Sequence, residues 1–113
     1  MQLVIGPLTY AVDHVSGDDN SPWGEVKYSQ QRITVLDSLT AGQQWITLWH
    51  EIIHAVLVQA GHEKLQGNED LMNALSHGLV QVLMDNAELV AMIPDYARLA
   101  RAHEAFAAVC RGQ

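Results

Sequence analysis

Hydrophobic and polar positions divide the chain into a strand-like first third and a helical remainder. Short runs rich in β-branched and aromatic residues predict strands at Leu8–Val12, Trp23–Tyr28 and Arg32–Leu36. A loop dense in turn formers, residues 16–22, separates the first two runs. From residue 40 onward, apolar residues recur at helical spacing. We therefore expect an α+β fold, with a small, mostly antiparallel sheet of about three strands followed by about three helices.

Capping and stop signals delimit the predicted helices. Thr40 and Gln43 have the spacing of a capping box, and Gly61 supplies the stop of a first helix of about 20 residues. Asn68 is the expected cap of the second helix, and Pro94 suits the first turn of the last one. The apolar stripe expected on the second helix is Leu71, Met72, Leu75, Leu79, Val82 and Leu83. The stripe expected on the last helix is Tyr96, Leu99, Phe106 and Val109.

The first predicted helix is apolar in almost every direction between residues 44 and 59, which is typical of a helix buried in a core. Its polar side chains in that span are Thr47, His50, Glu51 and His54, and at 100° per residue they share a sector of about 100°. Unpaired buried polar groups are costly, so such a helix must satisfy them along this stripe. The stripe therefore indicates the candidate functional site.

Residues 50–54 form the pattern H-E-x-x-H. Residues four apart lie about 6 Å apart along a helix axis, so His50 and His54 can converge on one zinc ion at about 2.0–2.1 Å. Zinc lowers the pKa of a bound water toward about 7, and Glu51 is placed to accept its proton as the water attacks a carbonyl. The alternative interpretation is a hydrogen-bonded pair of core histidines without a metal.

A catalytic zinc site needs a third protein ligand and an open coordination position. Glu69 is favoured as that ligand, because it opens the next helix at a loop's distance from His54. His77 is the competing choice, and it lies about 12 Å further along the same helix and about 80° away, so both cannot easily bind one ion. Without a metal, Glu69 would be a first-turn partner of the helix dipole. The other downstream candidates are His62, Glu63 and Asp85.

Several segments together resemble one protein family. The motif run 50–56, the later pattern Glu69-x-x-Met72-x-x-Leu75-Ser76-x-x-Leu79, the run 85–89 and the preceding strands at 23–28 and 33–35 resemble phage and prophage-encoded small zinc metallopeptidases of the ImmA/IrrE type. The resemblance covers roughly residues 23 to 92, and H-E-x-x-H is its one sharp motif. It implies a minimal zincin fold, with His50 and His54 as zinc ligands, Glu51 as catalytic base and Glu69 as the downstream ligand.

Members of that family often cleave a repressor protein, and many carry a helix-turn-helix segment. This chain of 113 residues has room for one domain, residues 1–113, and not for a separate DNA-binding domain. A formal charge of -7 also argues against a nucleic-acid surface, because phosphate binding needs clustered basic residues. The basic residues are few and scattered: Lys27, Arg32, Lys64, Arg98, Arg101 and Arg111.

The expected location is the cytoplasm, which is the bacterial host cytoplasm if the protein is phage-encoded. Cys110 is the single cysteine, so no internal disulfide can form, as suits a reducing compartment. The first residues lack the pattern of a secretion signal, and no apolar stretch reaches the roughly 20 residues that would span a bilayer.

The leading functional prediction is a zinc-dependent metallopeptidase that hydrolyses a peptide bond in a specific protein, a regulator being one candidate. The main alternative is a catalytically silent zincin-fold module that docks to a phage or host protein. A third interpretation is an α+β interaction domain without metal. Glu51 favours the first, because a purely structural zinc site does not need a carboxylate at that position.

Overall fold

The computed structural model describes residues 1–102, the last four by their backbone alone. Four positions named in the sequence analysis, Phe106, Val109, Cys110 and Arg111, lie outside the described residues, as do the side chains of Leu99 and Arg101. Internal contacts divide the chain into a first unit, residues 1–80, and a second unit that begins at residue 81. The organisation of the whole chain as one domain stays a prediction.

One mixed sheet of four strands forms the β part of the first unit, in the order β1-β2-β4-β3. The strands are β1 (Gln2–Ile5), β2 (Leu8–Val15), β3 (Gly24–Lys27) and β4 (Arg32–Leu36). β1 pairs antiparallel with β2, and β3 pairs antiparallel with β4, whereas β2 and β4 run parallel. The α+β class and the mostly antiparallel pairing are confirmed. The sheet has four strands, one more than the expected number of about three.

The additional strand is β1, and a tight hairpin brings it into the sheet. Ile5 lies opposite Leu8, so only Gly6 and Pro7 form the turn. Gly6 has a φ of 58°, a conformation that a residue without Cβ adopts at little cost, and such two-residue turns match the twist of the paired strands. In the sequence, the dipeptide Gly6-Pro7 marks this turn, and a turn there implies a strand before it.

The main core lies between one face of the sheet and the first helix, α1 (Ala41–Gln59). Alternate residues of β2, Tyr10 and Val12, are buried, as the period-2 geometry of a strand requires. β4 is flanked by strands on both sides, and four of its five residues are buried. The buried core consists of Ile5, Tyr10, Val12, Ile33, Val35 and Ala55.

Both ends of α1 have the caps that the sequence predicts. The Thr40 hydroxyl accepts a hydrogen bond from the Gln43 backbone N–H, and the Gln43 side chain accepts one from the Thr40 N–H. At the other end, Gly61 has a φ of 82°. Its N–H donates to the carbonyl of Val58 and the next N–H, of His62, donates to that of Leu57, which is a Schellman motif.

Two helices follow α1. The first lies within the first unit, and the second begins in that unit and extends beyond residue 80. A short helix, α2 (Glu63–Gln66), was not expected, and it fills the segment between the predicted helices. The next helix, α3 (Glu69–Asp85), begins where predicted, because the Asn68 side chain accepts a hydrogen bond from the Leu71 N–H.

The predicted apolar stripe of α3 is only partly correct. The buried residues are Met72, Ser76 and Val80, which follow one another at four-residue intervals. Leu75 and Leu79 are exposed instead. A buried serine is acceptable here, because its hydroxyl donates to the carbonyl of Asn73 one turn earlier. The face that packs is therefore set by the path of the helix and not by the largest side chains.

The second unit contains the end of α3 and two further helices, α4 (Ala87–Ala91) and α5 (Ile93–Ala102). Pro94 is the second residue of α5, in the first turn, as expected. In residues 1–102, no helix is both long and apolar enough to cross a membrane.

Replacement of two glycines by alanine should have opposite effects on stability. Gly61→Ala places a Cβ on a residue with φ 82°, so it should lower the free energy of unfolding by about 1–2 kcal/mol. Gly78→Ala lies inside α3 with open space around the new methyl, so it should raise that free energy by about 0.5–1 kcal/mol. Urea denaturation followed by circular dichroism measures both, and equal effects would contradict the assignment of Gly61 as the helix stop.

Candidate metal centre

The polar stripe of α1 lies on the packed side of the helix, while other directions face solvent. Thr47, Glu51 and His54 are buried, with relative exposures of 6%, 8% and 8%. Trp45 and Val56 are 41% and 46% exposed, so the prediction of a helix buried on every side is wrong. The reason is that α1 covers one face of the sheet and has solvent behind it. The polar residues are therefore buried because they lie on the packed face of α1. Buried polar groups need hydrogen-bond or metal partners, so these residues must have them there.

For the two histidines, Glu69 at the start of α3 is such a partner. His50 Nε2 lies 3.0 Å from His54 Nε2 and 3.1 Å from one carboxylate oxygen of Glu69. The other Glu69 oxygen lies 3.2 Å from His54 Nε2. The three predicted ligand residues are therefore brought together, and each of the two Glu69 oxygens lies close to one of the histidines.

This donor set fits a zinc ion. Ligand atoms at about 2.0–2.1 Å from a tetrahedral zinc are separated by about 3.3–3.4 Å, close to the spacing of the three groups. Two histidines and a carboxylate would, with a bound zinc ion, form a donor set of the type found in catalytic sites. The Glu69 side chain is 64% exposed, so the group faces solvent on that side. In the described part of the chain, no other set of three His, Cys, Asp or Glu residues brings its donor atoms this close.

The environment of His50 opposes protonation. Burial and the neighbouring His54 lower the pKa of His50, although Glu69 and the Asn73 side chain act in the opposite direction. The two imidazole rings are tilted by 59°, with their centroids 4.7 Å apart. A neutral His50 offers a nitrogen lone pair, which is the form that binds a metal.

Glu51 lies beside the donor group, enclosed by α1 and the edge strand β3. Burial raises the pKa of Glu51 to about 7, with smaller contributions from Glu69 and Glu25, while His54 acts in the opposite direction. A Cβ built on Gly24 would lie 3.0 Å from Cγ of Glu51 and 2.6 Å from Cγ2 of Thr47. The missing side chain at Gly24 therefore lets β3 contact the motif helix at the predicted catalytic base.

A cavity of about 560 Å³ opens next to His50 and Glu51. Trp23, which is 52% exposed, and Ile46 are the apolar side chains in its wall. A second cleft of about 320 Å³ is lined by residues of β3, the donor group and Tyr28, and it shares Gly24, His50 and Glu51 with the first. Burial and the nearby Glu51 raise the pKa of Tyr28 to about 12, so its hydroxyl keeps its proton and can donate a hydrogen bond.

His77, the alternative third ligand, lines the 560 Å³ cavity but does not join the donor group. Its Nδ1–H donates to the backbone carbonyl of Asn73 at 2.8 Å. His62, Glu63 and Asp85 are exposed, and none of them joins the group either. Of the downstream candidates, Glu69 alone reaches the two histidines in the described residues. Its role as a zinc ligand stays a prediction.

Sequence reasoning missed three polar side chains around this centre, namely Tyr28 on the cleft, Asn73 beside His50, and Gln66. Gln66 Oε1 accepts a hydrogen bond of 2.8 Å from Nδ1 of His54. Gln66 lies on α2, a four-residue helix with no amphipathic pattern of its own, so the sequence contained no signal for this contact.

Comparison with protein-family models, with curated proteins and with solved structures gave no match to this chain. The resemblance to ImmA/IrrE-type peptidases thus rests on the residues quoted above, and the assignment of function rests on the geometry of the site.

Gly24→Ala should disturb the site from the sheet side. The new methyl must displace Thr47 or Glu51, so we expect a loss of about 1–3 kcal/mol in the free energy of unfolding, typical of overpacking. Thermal denaturation of the metal-free protein measures it.

A second substitution checks the cause. Thr47→Ser removes the methyl at 2.6 Å and should recover part of the stability lost by Gly24→Ala. Gly42→Ala is the matched control, because nothing lies within 4 Å of its added methyl. If Gly24→Ala were as stable as the wild type, β3 would not contact α1 as described.

Proposed function

We propose that this protein is a zinc-dependent metallopeptidase. The observation that carries the proposal is the convergence of His50, His54 and Glu69 to 3.0–3.2 Å, with Glu51 buried between two clefts beside them. His50 and His54 would hold the ion through Nε2, and Glu69 would hold it through its carboxylate. A solvent-facing side leaves access for water and substrate, which a purely structural site would not need.

The residues of the chain divide the chemical work. When bound, zinc supplies Lewis-acid chemistry and lowers the pKa of water. Glu51 accepts the proton of the attacking water and then donates it to the amine that leaves. The low-dielectric surroundings of Glu51 favour this exchange. They raise its pKa to about 7, so near neutral pH the carboxyl can both accept and release a proton. The Tyr28 hydroxyl is available on the same cleft as a hydrogen-bond donor to the substrate carbonyl.

The shape of the site supports a peptide as the substrate. Among the described residues, β3 is an edge strand that pairs with β4 on one side only, and it lines the cleft that holds the donor group. An extended peptide can therefore hydrogen-bond to its free backbone groups. The neighbouring cavity, with Trp23 and Ile46 in its wall, has room for one large apolar side chain of that peptide.

The proposed substrate class and cellular location are those expected from the sequence. We propose a protein substrate, such as a regulator, in the bacterial cytoplasm, and no direct contact with nucleic acid, in keeping with the formal charge of -7. A silent zincin-fold binding module would share the metal site, and it is distinguished from a peptidase by the dependence of hydrolysis on Glu51.

Purified protein should bind about one zinc ion per chain, and zinc should raise its thermal midpoint. His50→Ala and His54→Ala should abolish this binding. Glu69→Ala should weaken it by more than the roughly 10–100-fold that is typical of outer-shell partners. Isothermal titration with zinc, after chelator treatment, measures the affinity of each variant.

His77→Ala is the matched control for Glu69→Ala, because both residues lie on α3 and both contribute to the walls of the site. It should leave zinc affinity close to that of the wild type. A wild-type protein that takes up no zinc would refute the metal site, and loss of zinc in His77→Ala with retention in Glu69→Ala would refute this ligand set.

Glu51→Gln should keep zinc but lower peptide hydrolysis by about 100- to 10,000-fold, since the amide has nearly the shape of the carboxyl but cannot take the proton. The assay incubates zinc-loaded protein with a library of proteome-derived peptides and identifies new termini by mass spectrometry.

Glu63→Gln, an equivalent change on the exposed helix α2, is the control and should cleave like the wild type. Cleavage that persists in Glu51→Gln would contradict the assigned base. Absence of cleavage in the zinc-loaded wild type would favour the silent binding module.

A further inference from the structure

We propose that Gln66 is a positioning residue of the metal centre, which holds His54 in the tautomer that can bind the ion. The proposal rests on the zinc site argued above. It concerns the side of His54 that faces away from the donor group, where the Gln66 side chain lies 2.8 Å from Nδ1.

The contact determines which ring nitrogen carries the hydrogen. A neutral imidazole has one N–H donor and one acceptor nitrogen, and an amide carbonyl oxygen can only accept. With Oε1 of Gln66 facing it, Nδ1 of His54 must be the donor. Nε2 is then left with its lone pair, and Nε2 is the atom directed at His50 and Glu69. The bond thus selects the form of His54 that can be a ligand.

The fold delivers Gln66 to this position by a short and well-bonded path. The Schellman motif at Gly61 reverses the chain after α1, and the His62 carbonyl accepts hydrogen bonds from the N–H groups of Leu65 and Gln66. Gln66 then ends α2, and α3 starts three residues later with Glu69. One connecting segment therefore places an acceptor on one side of His54 and a carboxylate on the other.

A neutral acceptor suits the charge of this site. Glu25, Glu51 and Glu69 already bring three carboxyl groups to the same cleft, and Gln66 orients His54 without adding a fourth. Because an amide can also be placed with its NH₂ group toward the ring, the direction of the bond has to be tested. A carboxylate at this position can only accept, so Gln66→Glu keeps the proposed direction and excludes the reverse one.

The experiment measures zinc affinity of the full chain by competition with a fluorescent chelator at pH 7. Gln66→Leu should weaken zinc binding by about 10–100-fold, the usual effect of losing an outer-shell partner. Gln66→Glu should bind as tightly as the wild type or more tightly. Gln59→Leu is the matched control, because it removes another partly buried glutamine contact, the hydrogen bond to the Tyr10 hydroxyl, away from the centre. It should leave zinc affinity unchanged.

A second measurement does not need the metal. Long-range ¹H–¹⁵N NMR spectra of the histidine rings should show His54 protonated on Nδ1 in the metal-free wild type and in Gln66→Glu. The same spectra should show a mixture of tautomers in Gln66→Leu.

The outcomes separate this proposal from the proposed function. Wild-type affinity in Gln66→Leu, or an equal loss in Gln66→Leu and Gln66→Glu, would overturn the positioning role. If the wild type took up no zinc, the metallopeptidase proposal would fail, and the tautomer spectra alone would decide whether Gln66 orients His54.

Discussion

Two imidazole nitrogens and a carboxylate approach one another to 3.0–3.2 Å where α1 meets the start of α3. Groups that carry lone pairs gather at such distances only when a shared hydrogen or a cation lies among them. His54 is buried, so its ring nitrogens have little access to water and need a partner within the protein. The need to give these groups partners accounts for the polar side chains that the segment between α1 and α3 places next to the histidines.

The segment between α1 and α3 places two side chains, Gln66 and Glu69, beside the histidines. The Gly61 turn and α2 set where Gln66 lies behind His54, and the Asn68 cap fixes the first turn of α3, which carries Glu69. The sheet contributes the opposite wall, since the absence of a side chain at Gly24 lets β3 pack against the buried Glu51. The three candidate metal ligands, the candidate base Glu51 and the edge strand β3 are therefore held by elements of one unit, residues 1–80.

Features determined by local geometry could be predicted from the sequence. The relation of His50 to His54 depends on the helical repeat alone, and the limits of α1 and the start of α3 depend on the caps at Thr40, Gly61 and Asn68. Glu69 was favoured over His77 for a similar reason, because the start of a helix that follows a short loop returns close to the end of the previous helix.

Features determined by packing could not be predicted in this way. The parallel pairing of β2 with β4 joins segments separated by β3, and no local pattern encodes it. On α3, the burial of Ser76 and the exposure of Leu75 follow from which face of the helix packs against the rest of the protein, which the hydrophobic stripe alone did not determine. Gln66 acquires its role from the fold, since a glutamine in a short polar helix has no distinguishing pattern.

The most direct test of the central claim is anomalous diffraction at the zinc edge from crystals of the zinc-loaded protein. We predict one strong peak at about 2.0–2.1 Å from Nε2 of both His50 and His54, in contact with the Glu69 carboxylate. A peak at any other group of residues, or no peak between the two histidines in zinc-loaded crystals, would contradict the account.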